Sequence, residues 1–477
     1  MSRDVSRLCE ASLTEAAGAL ARHEVSSIEL TEAMLERIGR FDGHLRSFAS
    51  VCAGRALSDA QRADEERRRG VRRGVLQGIP IALKDLIYTR GLVTACGSPM
   101  LRDWRPGFDA TVVKRLRAAG AVLLGKLAMT EYAAAGYHPT ALPPRNPWND
   151  RHAPGVSSSG SGVAVAASLC FAALGTDTGG SIRMPAAACG VVGLKPTYGR
   201  ISRHGVRPLA DSLDHVGPMA RTVADVAHML VVVAGRDAAD PATLHARVPR
   251  YAEPLARSVV GLRVGIDVDY CTEDVEPAVA AAVLESTRVL RDAGAEIVNV
   301  SVARVADVAR YWLTVTGAEA AVAHQETYPT RSDEYGPVFR SILDVGYQAP
   351  AVDYARSVVA RREAAAVLAH VFKQVDVFVC PAEPFSAPTW EQFPPQPHTP
   401  ADRLPWVLRF AAPYNFTGNP TLALPGGFTE QGLPVELQFV GAWGREDTVL
   451  RAGHAYEQAT DWHLRRPPPN WRSHEPV

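Results

Sequence analysis

Apolar residues recur along this chain at two different periods. Near the N-terminus they fall three and four apart: after Ser26, residues Ile28, Leu30, Leu35 and Ile38 lie near one face of a helix. Ser12 with Glu15, and Ser26 with Glu29, have the three-residue spacing of a capping box and predict two helix starts. Residues 1–70 therefore read as an N-terminal helical arm. Past residue 75 the period shortens. β-like runs at Ile79–Leu83, Val122–Leu124, Leu262–Val268, Glu296–Val302, Val375–Val379, Thr421–Leu424 and Pro434–Val440 alternate with helical stretches at Ala110–Ala119, Asp274–Ala293 and Tyr354–Gln374. That alternation predicts an α/β fold around a central mixed β-sheet surrounded by helices, with residues 71–477 as one domain. Eight prolines between Pro381 and Pro405 read as an ordered loop over a pocket, since such a stretch is no regular element.

Composition narrows the function classes. The 477 residues carry 51 Lys+Arg and 51 Asp+Glu, so the formal net charge is zero. A nucleic-acid partner held by bulk positive charge is not expected. The run Asp64–Arg69 with Arg72 and Arg73 reads as a solvated helix end. Seven cysteines without a CxxC pair read as buried thiols in a reducing compartment, not as a disulfide framework or metal site. Met1–Glu10 has no apolar signal-like core, and the longest apolar run, Val163–Gly175, is too short to span a bilayer. The expectation is a cytoplasmic protein with no membrane partner. Gly120–Lys126 approximates a phosphate loop, but its interior is strand-like and Leu127 stands where Ser or Thr is needed.

The chemistry concentrates in two Gly/Ser-rich turns, Pro154–Gly162 and Gly175–Pro185, which flank one apolar run. Glycines let backbone N–H groups approach a ligand, and successive N–H groups can hold a developing negative charge. A serine nucleophile in such a turn needs a base. His138, His204 and His215 are scattered and assemble no Ser-His-Asp set by spacing. A lysine freed of its proton by burial is the remaining candidate, and Lys84 ends the apolar run from Gly78 to Leu83.

At these residues the sequence resembles the amidase signature family. The resemblance runs through Ile79–Asp85, the Ser157-Ser158 turn, Gly175–Pro185, Cys189–Thr197, Ser212–Met219 and Gly432–Gln438, in order and over nearly the whole chain. It implies the amidase-signature fold, with a helical, pocket-lining region at about 303–400. It implies a Ser–cisSer–Lys triad in which Ser181 is the nucleophile, Ser157 the bridging cis serine and Lys84 the base. Ser157 and Ser181 have the family gap. It further implies an oxyanion hole from the N–H groups of Thr178, Gly179, Gly180 and Ser181, supported by Ser158, Asp177 and Arg183. The implied activity is hydrolysis of a carboxamide or related C–N bond in a small-molecule amide, through an acyl-enzyme, with no metal or organic cofactor. A homodimer is compatible with it. Two alternatives accompany this reading: the glutamine-hydrolysing subunit of a tRNA-dependent amidotransferase, and an allophanate- or biuret-type hydrolase. Against the first, Leu408–Asn415 carries no acid where that subunit has one. The second would use cations such as Arg145, Arg183 or Arg340. A catalytically silent scaffold is a third, weaker alternative. Val156 and Ser159 depart from the glycines usual in the family, and the segment Ala133–Thr140 is short. Tyr137, Trp312, Tyr347 and Trp390 are aromatic candidates for the pocket.

Overall fold

A computed structural model describes residues 3–393 and 403–468. Both expected helix starts form. The Ser12 hydroxyl accepts from Glu15 N and the Glu15 carboxylate accepts from Ser12 N, opening helix Leu13–Ala21; Ser26 and Glu29 repeat this at helix Ser27–Leu45. The arm is not wholly helical, however. Phe48–Val51 (β1) joins the main sheet, so residues 1–70 supply its edge. Asp225, on helix Val223–Val233, accepts from the N–H groups of Leu13 and Thr14 and ties the arm to the body.

The remaining strands are Pro80–Lys84 (β2), Val122–Leu127 (β3), Ala172–Asp177 (β4), Val192–Lys195 (β5), His215–Ala220 (β6), Arg263–Ile266 (β7), Glu296–Asn299 (β8), Val377–Pro381 (β9), Thr421–Phe428 (β10) and Pro434–Gly441 (β11). They form one mixed sheet in the order β1-β3-β2-β4-β6-β5-β10-β11-β9-β7-β8. β2 runs parallel to β3 and β4, and β6 runs antiparallel to β4. Every residue of β2, β3, β4 and β6 is buried, which fits their largely apolar sequences. The C-terminal ends of β2 and β4 lie side by side, where polar groups in an α/β sheet gather around a ligand.

Helices Trp312–Ala323, Pro337–Gln348 and Ala351–Gln374 make up most of the expected helical region, which then returns to the sheet through β9. Of the prolines expected in a loop, Pro381 ends β9 and Pro405 sits in helix Leu404–Leu408; Pro394, Pro395, Pro397 and Pro400 lie outside the described residues. Pro at the first turn of a helix loses no backbone bond, which is why Pro405 is tolerated there. The seven cysteines are free, and six are buried. Among the described residues no helix is long and apolar enough to cross a membrane.

Candidate active site

Lys84 is the last residue of β2 and is wholly buried. Its Nζ lies 2.6 Å from Ser157 Oγ and 2.9 Å from Thr176 Oγ1. Burial pushes its pKa down to about 7, against the upward pull of the Asp177 and Asp214 carboxylates. Both contacts are hydroxyls, which can donate a proton to a neutral amine as readily as they accept from an ammonium.

Ser157 and Ser158 sit in the turn that enters helix Ser159–Ala166. Gly155 makes this turn possible: it holds φ at +78°, and a Cβ there would stand 2.6 Å from the Pro185 backbone. Ser158 fastens the turn to β4, donating from Oγ to Thr176 O at 3.1 Å and accepting from Thr176 N at 3.2 Å. Its own N–H donates to Ser181 O at 3.2 Å, so the two Gly/Ser turns touch directly. The peptide before Ser157 is trans. The cis linkage among the described residues is Tyr328–Pro329, so the expected cis serine is corrected.

Ser181 precedes helix Arg183–Cys189 and keeps 8% of its surface open. Among the described residues its Oγ has no hydrogen-bond partner. The loop before it is set by Asp177, whose carboxylate accepts from the N–H groups of Gly180 (2.8 Å) and Ile182 (3.1 Å). Gly180 is therefore committed inward, a correction to the four-donor expectation; the N–H groups of Thr178, Gly179 and Ser181 have no acceptor among the described residues. Trp312 closes the other side, its indole N–H donating to Thr178 O at 3.0 Å.

Asp177 and Arg183 form a fully buried pair with two contacts, 3.0 and 2.9 Å. Burial alone would raise the Asp177 pKa; the guanidinium and the Asn415 amide hold it well below the usual carboxylate range. Asn415 donates to Asp177 Oδ1 at 2.8 Å and accepts from Arg183 at 2.7 Å, and Gln438 lies 3.4 Å from the same guanidinium. Thr178 Oγ1 donates to Asp214 at 2.6 Å, and burial pushes Asp214 up to about 6. A cavity of about 140 Å³ opens between Thr176, Thr178, Asp214, Arg207 and Leu209.

The structure thus brings Lys84, Ser157, Ser158, Asp177, Thr178, Gly179, Gly180, Ser181 and Arg183 together. Trp312 joins them, and Tyr137 donates to Ser159 Oγ at 2.7 Å, so the departure at Ser159 is a hydrogen-bonded one. Tyr347 is half exposed and Arg340 partly exposed on helix Pro337–Gln348, where Arg340 pairs with Asp333, and Arg145 pairs with Asp150. Thr176, Asn415 and Gln438 had no assigned role in the sequence. Asn415 and Gln438 do end two of the stretches compared with the family, which was the available signal.

The family described as Amidase matches residues 29–450. The chain is 44% identical over 465 residues to a Mycobacterium tuberculosis (strain ATCC 25618 / H37Rv) protein named "Putative amidase AmiD", covering 98% of this chain and 97% of that one. It is 40% identical over 487 residues to a glutamyl-tRNA(Gln) amidotransferase subunit of Roseiflexus sp. (strain RS-1), covering 96% and 98%. Among solved structures it resembles native peptide amidase from Stenotrophomonas maltophilia, with a TM-score of 0.81, 32% identity, and 96% and 98% of the two chains covered.

Proposed function

The chain belongs to the amidase signature family and is a hydrolase of amide C–N bonds; from that premise we propose that Ser181 is its nucleophile, Ser157 its proton relay and Lys84 its base. The observation that carries this reading is the 2.6 Å contact between a fully buried Lys84 and Ser157, with the lysine's pKa brought to about 7. A lysine in that state is a base near neutral pH.

Neutral Lys84 takes the Ser157 proton while Ser157 takes the proton of Ser181. Ser181 Oγ attacks the amide carbonyl. The N–H groups of Thr178, Gly179 and Ser181 receive the oxyanion, with Gly180 and Asp177 fixing the loop that aims them. The relay then runs in reverse: Ser157 donates its proton directly to the leaving nitrogen and takes one back from the Lys84 ammonium, the C–N bond breaks, and an acyl-Ser181 ester remains. Water, deprotonated along the same path, cleaves the ester. The Ser181–Ser157 contact closes on substrate binding, as catalytic hydrogen bonds commonly do. The substrate is a small-molecule amide, and the site of action is the cytoplasm. In Leu408–Asn415 no carboxylate faces the loop, and Ala411 stands against Gly180, so the glutamine-hydrolysing alternative gains no support from this segment.

A fluorophosphonate tests the assignment without knowledge of the substrate. Intact mass should show one adduct, mapped to Ser181 and absent in Ser181→Ala. No adduct on a folded protein, or an adduct elsewhere, would remove Ser181 from the role.

A further inference from the structure

The cavity beside Thr176 and Thr178 is completed by the segment between Arg203 and Asp214 and by His215 and Val216 of β6, which pair with Asp177 and Thr176 of β4. The catalytic elements clamp that segment. Arg207 N–H donates at 3.1 Å to the carbonyl of Leu86, two residues past Lys84. The N–H groups of Leu209 and Ala210 donate at 2.9 and 3.1 Å to Asp214, the carboxylate that also takes Thr178 Oγ1. Thr176 Oγ1 is 2.9 Å from Lys84 Nζ. A molecule in this cavity therefore touches the threonine that holds the base and the first residue of the oxyanion loop.

Four charged side chains line the cavity: Arg203, Arg207, Asp211 and Asp214. Three are engaged. Asp214 accepts the three donors just named, and Arg203 stands 3.1 Å from Asp211 and 3.5 Å from Asp240. Arg207 has no carboxylate in contact among the described residues. It is half-buried, and against its five N–H donors the described residues set one carbonyl, Ala323 O, at 3.4 Å. Its Nε is buried without a partner. The Tyr88 hydroxyl and the Tyr132 ring, 5.9 Å away, flank the guanidinium, and neither brings a charge. Ala133 adds only a methyl group to the wall. A planar fork of donors in this state matches a carboxylate, which it can hold by two parallel bonds.

We propose that Arg207 is the anion-binding group of the substrate cleft, and that the amide cleaved here carries a carboxylate. The inference deepens the hydrolase reading above and rests on it. The arginines that the sequence offered for such a role are engaged elsewhere: Arg183 with Asp177, Arg145 with Asp150 and Arg340 with Asp333. A substrate carboxylate would fill the donor capacity that the protein leaves open at Arg207, in a partly desolvated wall where charge-assisted bonds are strong. At about 140 Å³ the cavity admits a short carboxylate-bearing arm, not a long chain.

Matched substrate pairs test this on the full-length enzyme: half-amides of short dicarboxylic acids against their branched-alkyl isosteres, and amides of short ω-amino acids against amides of branched alkylamines. The first series places the carboxylate on the acyl side, the second on the amine side. In at least one of them the anionic member should lead in kcat/KM by roughly 10- to 100-fold, the scale of one charge-assisted hydrogen bond. Arg207→Gln should reduce that ratio by a similar factor, chiefly through KM. Arg207→Lys, which keeps the charge and loses the fork, should hold an intermediate ratio, and Arg207→Glu should turn the preference toward ammonium-bearing amides. A wild-type ratio near one in both series, or a ratio unmoved in natively folded Arg207→Gln, overturns the subsite. If neither series is cleaved, fluorophosphonate judges the hydrolase reading, which has failed when Ser181 takes no adduct. Calorimetry with glutarate then judges the subsite alone: binding to wild type that is lost in Arg207→Gln upholds it, and equal or absent binding overturns it.

Discussion

Two lysines on adjacent parallel strands are buried to the same degree and do opposite things. The register pairs Leu83 with Lys126, so Lys84 of β2 and Lys126 of β3 leave opposite faces of the sheet. Burial lowers the pKa of both. Lys126, however, stands 3.3 Å from Asp85 and donates at 2.8 Å to both Ile87 O and Thr94 Oγ1. A carboxylate and a carbonyl can only accept, so they hold an ammonium. Lys84 has two hydroxyls and no carboxylate in contact. Burial alone does not make a base; the partners decide which protonation state the site accommodates. Lys195 repeats the structural case, with the carbonyls of Pro196 and Asn419 as acceptors.

The strongest way to break this comparison is to exchange chemistry at each lysine. Ser181→Ala should abolish turnover, and Lys84→Met should lower kcat by about 10²–10⁴-fold near neutral pH, the range of general-base loss. Lys126→Met should leave kcat within a small factor while destabilising the protein by about 3–5 kcal/mol, because Asp85 stays buried and unpaired. Stability should move the other way at Lys84. Its folded pKa of about 7 lies below the ordinary 10.5, so between those values the unfolded chain holds a proton that the native state lacks. Stability therefore rises with pH across that window, and the penalty of burying Lys84 is fullest below about pH 7. Lys84→Met removes the penalty, so its Tm should exceed the wild-type value at pH 7, with the gap closing toward pH 10.5. Equal Tm shifts for the two lysine variants would erase the distinction.

Ser157→Ala should fall between Ser181→Ala and wild type, with a loss of about 10²–10³-fold, and adding Lys84→Met to it should cost little more, since a relay acts as a unit. Additive losses in steady-state kinetics would separate the two residues. The smallest effect is at Trp312→Phe. It removes the indole donor to Thr178 O, worth about 1 kcal/mol, and should slow turnover less than tenfold without shifting the pH profile.

Much of this arrangement was legible in the chain because it rests on local rules. Ser12/Glu15 and Ser26/Glu29 cap helices by spacing alone. The apolar runs of β2, β3, β10 and β11 are readable because these strands are buried on both faces. Lys84 at the end of such a run, and two Gly/Ser turns around another, placed the site. The sheet order was not legible, because β10 lies between β5 and β11 and its pairing with β5 joins residues more than 200 apart. For the same reason Asn415 and Gln438 could not be assigned to the Asp177–Arg183 pair. β1 was missed because its four residues are mostly exposed and carry no strand-like run. Thr176 was missed because a threonine inside an apolar strand looks like packing until its hydroxyl is seen beside Nζ. Val156–Ser157 was expected cis by resemblance, and its local residues carried no signal either way.

The central claim is that Lys84 is neutral at working pH and activates Ser181 through Ser157. The most direct test is the pH dependence of the rate at which fluorophosphonate labels Ser181, followed by intact mass. The amine fraction grows as pH passes the Lys84 pKa, so the rate should rise through a midpoint near 7 and then level, and Lys84→Met should be slow and lack that midpoint. A rate that climbs only toward pH 10, or one that keeps the same midpoint without Lys84, would contradict the account.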